Sequence, residues 1–186
     1  MIEIKVLTST KINELINLYK ECFKNDHYFR DFFGTEDVTD VIETKFKPIF
    51  DFVLSKGNSY GLYDNDKMVG LLLGFDYFDT FINHKQNFNY IFTLDYCNDE
   101  YPYFDTLHTK IHQYGEKVMY ILAIAIDEKY RGKKFASKLI DLFINKYKDY
   151  TIVSDVSNYV SIEMYKKRNF EIHELDTEYY LVIKRK

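Results

Sequence analysis

Residues 117–126, KVMYILAIAI, form the most apolar stretch of the chain and restrict the folds that it can adopt. After the first lysine every residue of this stretch is apolar, and isoleucine recurs in it. A strand with one face in water alternates apolar and polar residues, whereas a continuous apolar run is typical of a strand covered on both faces. The sequence therefore predicts that residues 117–126 form a central strand of a sheet.

The chain before this run begins with a predicted strand and a predicted helix. Residues 2–8, IEIKVLT, alternate apolar and polar side chains in the manner of a half-buried strand. From residue 10 to residue 23 apolar side chains recur every three or four positions, which predicts an amphipathic helix. Ser9 or Thr10 is the expected N-cap, because a hydroxyl side chain can accept a hydrogen bond from an amide of the first turn.

Residues 38–53 repeat the helical period, but Pro48 lies inside them. Proline removes one backbone hydrogen bond and collides with the preceding turn, so we expect the helix to be kinked or split there and to end at Gly57. Two strands should follow around a tight turn at residues 64–66. The second strand is apolar enough to be buried on both faces.

The remaining elements complete one domain. Residues 79–116 are predicted to be a helical insertion, with a helix from an Asp105 cap to Gly115. A length of 186 residues suits one domain with a full core, so we assign residues 1–186 to a single domain. After the central strand we expect a helix at about residues 135–147, a strand at 150–156 and a second helix at 161–167. Two further strands should follow at about residues 170–175 and 178–186.

Composition argues against several classes of function. The 25 lysines and arginines are outnumbered by 29 aspartates and glutamates, and the net charge of −4 argues against a broad nucleic-acid surface. The two cysteines, Cys22 and Cys97, are far apart and have the spacing of neither a disulfide framework nor a zinc site. The N-terminus has no apolar leader, and no segment is apolar enough to cross a bilayer. We therefore expect a cytoplasmic protein that binds no metal, nucleic acid or membrane.

The segment after the apolar run, YRGKKFAS at residues 130–137, joins a predicted strand to a predicted helix and contains one glycine and three cations. The first amides of a helix have no intrahelical acceptor, and the helix dipole places partial positive charge beside them. Such a joint can bind a phosphate group. A plain surface turn is the alternative interpretation, because glycine and lysine are common in strand-to-helix turns.

Two motifs in the C-terminal half resemble those of the GNAT superfamily of acetyl-CoA-dependent N-acetyltransferases. The first is Arg or Gln, two residues, Gly, one residue, then Gly or Ala, and it reads RGKKFA from Arg131 to Ala136. Lys134 stands where the family usually has glycine, whose missing side chain lets a pyrophosphate approach the backbone.

The second motif combines an asparagine, a small residue, a tyrosine and an aromatic residue at the family's spacing. Asn169 replaces the glycine that is common before the aromatic residue, a mild change because asparagine also tolerates left-handed backbone angles. The order of predicted elements agrees with the family over residues 1–78 and 117–186. The four motif residues are Asn158, Ser161, Tyr165 and Phe170.

The resemblance implies an α/β (α+β) fold of the GNAT type. Its sheet should be mixed, mostly antiparallel and of about seven strands flanked by helices, with the helical insertion between strands 3 and 4. The resemblance implies acetyl-CoA as the co-substrate and allows a homodimer.

The resemblance also implies which residues bind the cofactor. Amides of the turn would bind the pyrophosphate, lysines there could add charge-assisted contacts, and main-chain groups of the central strand would bind the pantetheine arm. Tyr165 is the implied catalytic residue, a general acid beside the thioester sulfur. The implied cofactor-binding residues are Ile124, Ile126, Arg131, Gly132, Lys133, Lys134, Phe135, Ala136, Ser137, Asn158 and Ser161.

Simpler roles for several residues stay open. Asn158 could serve as a helix cap without contacting a cofactor, and Tyr165 could be an ordinary core tyrosine. His108 and His112 have a spacing that can bind a metal, although a solvated helix face is the simpler interpretation. The central strand offers no general base, which leaves Glu116, His112 or a water chain.

The predicted function is transfer of an acetyl group from acetyl-CoA to a primary amine by direct attack, without a covalent enzyme intermediate. The substrate could be a polyamine, an amino sugar, an aminoglycoside, an amino acid or a protein N-terminus. The insertion, with Asp99 and Glu100, is expected to act as a lid that attracts a cationic amine. The rival interpretations are a non-catalytic acyl-CoA-binding module on the same fold and an unrelated α/β binding protein.

Overall fold

The computed structural model describes residues 1–26, 34, 38–79 and 103–186, except for the side chains of residues 103–105. Strands in these residues form one seven-stranded sheet. The strands are β1 Ile2–Val6, β2 Tyr60–Asp64, β3 Lys67–Asp76, β4 Val118–Ile126, β5 Thr151–Val156, β6 Glu171–Glu174 and β7 Tyr180–Lys184. Their order across the sheet is β1-β2-β3-β4-β5-β7-β6. All neighbours are antiparallel except β4 and β5, which are parallel.

Helices cover both faces of the sheet. The helices are α1 Ile12–Phe23, α2 Val38–Val41, α3 Lys47–Ser55, α4 Tyr103–His112, α5 Phe135–Lys146 and α6 Tyr159–Lys166. Buried side chains of α1, α2 and α3 pack in one cluster, and those of α5 and α6 pack in another cluster on the opposite face. No helix of the described residues is both long and apolar enough to span a membrane. The mixed, mostly antiparallel sheet flanked by helices confirms the predicted fold class.

Strand β4 is the fourth of the seven strands, which confirms the central position predicted from its apolar run. Ala123 and Ala125 pack in the α1 cluster, whereas Met119 and Ile121 pack in the α5 cluster. Both faces of β4 are therefore covered by helices, as a continuous apolar strand requires.

The N-cap prediction for α1 is wrong. A 3₁₀ turn at Ser9–Lys11 precedes the helix. The N-cap of this turn is Thr8 and the N-cap of α1 is Lys11, and neither makes a side-chain cap hydrogen bond. The turn itself uses the amides that a cap would have satisfied, because Lys11 N–H donates to the Thr8 carbonyl at 2.9 Å. The Thr10 hydroxyl lies 2.8 Å from the Thr8 hydroxyl instead.

The predicted interruption at Pro48 is confirmed. One turn of π-helix, Ile42–Phe46, separates α2 from α3, and Pro48 lies in the first turn of α3. The Lys47 amide donates to the Ile42 carbonyl across the π-helical turn, and Pro48, which has no amide to donate, follows directly in the chain. The helix ends as expected, with Gly57 at a φ of +70°.

Some boundaries of the later helices differ from the prediction. Helix α4 begins at Tyr103, before the predicted Asp105 cap, and ends at His112, before Gly115. Helix α6 begins at Tyr159 rather than at residue 161. Residues 80–102 of the predicted insertion, including the lid residues Asp99 and Glu100, lie outside the described residues.

Replacement of Gly74 should test how tightly β3 packs on α5. A Cβ atom there would lie 2.4 Å from Cε2 of Phe143 and 3.2 Å from the Asn58 carbonyl oxygen. Gly74→Ala is therefore expected to lower the free energy of unfolding by about 2 kcal/mol, within the range for overpacked cores. Urea denaturation would measure the loss.

Gly70→Ala is the matched control on the same strand, because the nearest atom to its Cβ would be a terminal methyl of Ile126 that can rotate away. Gly70→Ala should lower the free energy of unfolding by less than Gly74→Ala does. Phe143→Leu should recover part of the Gly74→Ala loss, and a fully additive double variant would contradict the proposed clash.

Candidate active site

Strands β4 and β5 are paired only where they begin. The paired residues are Val118 with Thr151, Met119 with Ile152 and Tyr120 with Val153. A β-bulge follows directly, since Leu73 of β3 pairs with Ala123 and Gly74 pairs with Ile121, which leaves Leu122 as the extra residue. A bulge bends and twists its strand, so β4 turns away from β5 at this point. The result is a gap between two parallel strands.

The hydroxyl of Ser154 lies where the strands separate. It donates a hydrogen bond to the Ile121 carbonyl at 2.8 Å, and Ser154 is 4% exposed. This side chain satisfies a carbonyl that the β4–β5 ladder no longer reaches. A buried carbonyl without a partner is costly, and the serine removes that cost at the start of the gap.

Main-chain groups of Ile124 and Ile126 face the gap. The amide of Asp127 donates to the Val69 carbonyl of β3 at 2.9 Å. Because successive residues of a strand direct their amides and carbonyls to opposite sides, those of Ile124 and Ile126 point away from β3. The Arg131 side chain confirms this direction, since its Nε donates to the Ile126 carbonyl at 3.1 Å.

The gap forms a cavity of about 540 Å³, a volume typical of small-molecule sites. Seven of the predicted site residues lie together in its lining: Ile124, Ile126, Arg131, Ala136, Asn158, Ser161 and Tyr165. Five others belong to the turn or the first residues of α5 and are not among the described residues that line the cavity: Gly132, Lys133, Lys134, Phe135 and Ser137.

The turn before α5 presents backbone amides. Gly132 and Lys134 both have left-handed backbone angles, with φ of +76° and +61°. The N-cap of α5 is Lys134, which makes no side-chain cap bond, and Lys138 N–H donates to the Lys134 carbonyl at 3.1 Å. The amides of Phe135 and Ala136 therefore precede the first intrahelical bond. A group of such amides at a helix N-terminus favours an anion.

Aromatic rings support the lysines of this turn. Lys133 Nζ lies 4.8 Å from the centre of the Tyr130 ring, and Lys138 Nζ lies 5.5 Å from that of the Phe135 ring. The Tyr130 hydroxyl donates to Asp64 of β2 at 2.9 Å. The turn is thereby tied to the sheet, and its cations stay at the surface.

Asn158 caps a helix. Its side-chain oxygen accepts a hydrogen bond from Ser161 N–H at 2.8 Å, which fixes the N-terminus of α6. Asn158 therefore caps α6, and both residues also line the cavity. A contact between Asn158 and the cofactor stays a prediction.

Tyr165 belongs both to the core and to the cavity lining. Its side chain is 2% exposed, and its ring lies 4.9 Å from the Phe170 ring at an interplanar angle of 63°. Burial raises the pKa of the phenol, and a hydrogen bond with Ser154 lowers it by a smaller amount. The phenol therefore stays protonated at neutral pH.

Asp155 is a cavity residue that the sequence analysis did not select. It accepts a hydrogen bond from the Tyr120 hydroxyl and lies partly exposed in the lining. The available signal was an acidic residue inside the otherwise apolar or neutral strand TIVSDV.

The earlier candidates for a general base lie elsewhere. His112 stacks edge-on against Phe78 with ring centres 5.2 Å apart, and Glu116 is exposed in the turn before β4. Neither is among the described residues that line the cavity. His108, the other member of the suggested metal-binding pair, contacts the Tyr77 hydroxyl through Nδ1.

Comparison with known sequences decides the family. The sequence profile described as "Acetyltransferase (GNAT) family" matches residues 12–170. The chain belongs to this family. Among curated proteins no match was found.

Solved GNAT structures share the fold over their whole length. The PaiA N-acetyltransferase of Thermoplasma acidophilum in complex with coenzyme A has a TM-score of 0.67 at 14% identity, covering 100% of this chain and 99% of that one. The polyamine N-acetyltransferase of Drosophila melanogaster has a TM-score of 0.72 at 9% identity, covering 100% of both chains. A mosquito arylalkylamine N-acetyltransferase-like protein has a TM-score of 0.71 at 13% identity, covering 99% of both chains. At these identities the likeness establishes the fold.

The GNAT turn of this protein contains a strained residue that can be tested. Lys134 has a φ of +61°, a conformation that costs an ordinary residue about 1–2 kcal/mol and glycine almost nothing. Lys134→Gly should raise the free energy of unfolding by about 1 kcal/mol, after allowance for the greater freedom of glycine in the unfolded chain. Thermal or urea denaturation would measure the gain.

Lys133→Gly is the matched control, because Lys133 in the same turn is not among the residues with positive φ. That change should give no gain in stability. A Lys134→Gly protein no more stable than its parent would show that the lysine side chain compensates for the backbone strain.

Proposed function

We propose that this GNAT enzyme transfers an acetyl group from acetyl-CoA to a small primary amine, by direct attack of the amine on the thioester. The observation that carries this proposal is the cavity between β4 and β5, whose lining runs from Arg131 and Ala136 at the turn to Tyr165. A family member solved with coenzyme A has the same fold. Two of the similar structures are of a polyamine N-acetyltransferase and an arylalkylamine N-acetyltransferase-like protein, which supports a small amine as substrate.

The residues present fit the cofactor. The amides at the start of α5 offer donors to a pyrophosphate, and the helix dipole adds to that attraction. Lys133, Lys134 and Lys138 are exposed beside these amides and can add charge-assisted contacts. The pantetheine arm carries amide groups, and the main-chain groups of Ile124 and Ile126 are their partners in the gap. The Arg131 bond to the Ile126 carbonyl supports this, because it shows that the carbonyl accepts a donor from the gap side.

Transfer needs no covalent enzyme intermediate. Acetyl-CoA supplies an activated thioester, so the protein has to orient the amine and the carbonyl carbon and to stabilise the departing thiolate. The nitrogen–carbon bond forms, the carbon–sulfur bond breaks, and its electron pair leaves with sulfur. The Tyr165 phenol, protonated at neutral pH, is the group that protonates this sulfur.

Removal of the Tyr165 hydroxyl tests the proposed acid. Tyr165→Phe keeps the ring packed on Phe170, so folding and CoA affinity should hardly change. The kcat for an accepted amine should fall by roughly 10²-fold, the lower range for loss of acid catalysis. Steady-state kinetics and calorimetry with CoA would measure the two quantities.

Tyr60→Phe is the matched control, because Tyr60 is also a buried tyrosine and is not among the described residues that line the cavity. It should leave kcat unchanged. If Tyr165→Phe has an unchanged kcat, Tyr165 is not the general acid and only packs in the core. CoA binding without acetylation of any amine by the parent protein would favour the acyl-CoA-binding module.

A charge in the turn tests where the pyrophosphate binds. No described atom lies within 4 Å of a Cβ placed on Gly132, so a small side chain there meets open space. Gly132→Asp should weaken CoA binding at least tenfold, or about 1.4 kcal/mol, because the carboxylate repels the phosphates. Gly132→Asn is the control of equal shape, and both residues tolerate the positive φ comparatively well. Equal affinities of the two variants would place the pyrophosphate elsewhere.

A further inference from the structure

Ser154 and Asp155 lie side by side in β5, at the point where β4 departs. Neighbouring residues of a strand direct their side chains to opposite faces of the sheet. Ser154 contacts Tyr165, which packs in the α5 cluster. Asp155 therefore faces the side of the sheet that is covered by α1. The cavity thus has a phenol on one face of the gap and a carboxylate on the other.

The Asp155 carboxylate is held in place by Tyr120. Tyr120 is the last β4 residue paired with β5, and its side chain is 2% exposed. Its hydroxyl donates to one carboxylate oxygen of Asp155. A carboxylate inside a strand is costly unless it is hydrogen-bonded or paired with a cation. A rigidly held carboxylate in a cavity is suited to bind a cationic group.

Aromatic side chains line the α1 side of the cavity. Tyr19 and Phe23 of α1 and Phe46 of the π-helical turn line this side of the cavity. Asp26 also lines it, and the charges of Asp26 and Asp155 both act on the Tyr19 phenol. Aromatic faces attract an ammonium group and also accept an apolar ring. The cationic Arg131 lies at the other end of β4, bonded to Ile126.

We infer that Asp155 binds the ammonium group of the substrate and accepts one of its protons before the nitrogen attacks, and that the substrate is a primary amine on an aromatic or apolar body. The inference rests on the proposed acetyl transfer. The ammonium ion loses two protons in the reaction. The first passes to Asp155 and on to solvent, which frees the lone pair that forms the nitrogen–carbon bond. The second, lost from nitrogen as the carbon–sulfur bond breaks, replaces the proton that Tyr165 gives to the thiolate.

Two acceptors of nearly equal shape test this role. 2-Phenylethylamine is an ammonium ion at neutral pH, whereas O-benzylhydroxylamine, with oxygen in place of one methylene, is uncharged. Asp155→Asn should lower kcat/KM for 2-phenylethylamine by roughly 10²-fold, the usual scale for loss of a general base. For O-benzylhydroxylamine, which has no such proton to lose, the fall should be less than about fivefold. Equal losses for both acceptors would overturn the inference, because a structural defect affects them alike.

The exposed Asp51 of α3 provides the control, and Asp51→Asn should change neither rate. Binding of 2-phenylethylamine to the CoA complex, measured by calorimetry, separates this inference from the proposed function. Asp155→Asn should weaken that binding at least tenfold. If the parent protein acetylates neither acceptor but binds the amine through Asp155, the proposed acetyl transfer is contradicted and the proposed ammonium site is supported. No binding of the amine to the parent protein would overturn the site.

Discussion

The separation of β4 from β5 after Tyr120 and Val153 is the constraint on which the rest of the site depends. Two parallel strands that stayed paired would use their amides and carbonyls on each other and leave no cavity. The bulge at Leu122 turns β4 away, and the Ser154 hydroxyl satisfies the first carbonyl that loses its strand partner. Main-chain groups of Ile124 and Ile126 thereby become available to a ligand. The same opening brings groups from both faces of the sheet, Tyr165 and Asp155, into one cavity.

The turn after β4 keeps a left-handed backbone conformation although a lysine, and not a glycine, occupies the position before α5. Lys134 adopts the left-handed angles for which glycine is the usual choice in this family. Contacts on both sides of the turn hold its conformation. The Tyr130 hydroxyl donates a hydrogen bond to Asp64, and Leu139 and Ile140 of α5 pack in the core. The first-turn amides of α5 keep their direction as a result. The lysine adds a charge at the cost of local strain.

Much of the fold could be predicted because burial leaves a direct pattern in the sequence. The unbroken apolar run of β4 indicated a strand covered on both faces, and Pro48 indicated a break that the structure resolves with a π-helical turn. The helix caps were harder to predict. Ser9 and Thr10 are suitable caps for α1, but a 3₁₀ turn satisfies the same amides without them. Local propensity could not show which of these two solutions packs better.

Asp155 shows where sequence analysis of the site stopped. An aspartate within a strand can be an exposed edge residue or a functional group, and only the partner strand distinguishes them. Tyr120 lies 35 positions away in the chain, and its hydroxyl donates to the Asp155 carboxylate in the cavity lining. The sequence also left open whether Asn158 caps a helix or lines the site. The tertiary structure shows that Asn158 does both. Cytoplasmic location and a homodimer stay predictions.

The sequence by itself determined the order of the elements, the central place of β4 and the two motifs that border the gap. These features depend on local periodicity and on residues close in the chain. Only the tertiary structure decided where β4 leaves β5, which main-chain groups face the gap, and which carboxylate lines the same cavity as Tyr165. Those outcomes depend on strand register and on contacts between distant residues, and no local pattern encodes them.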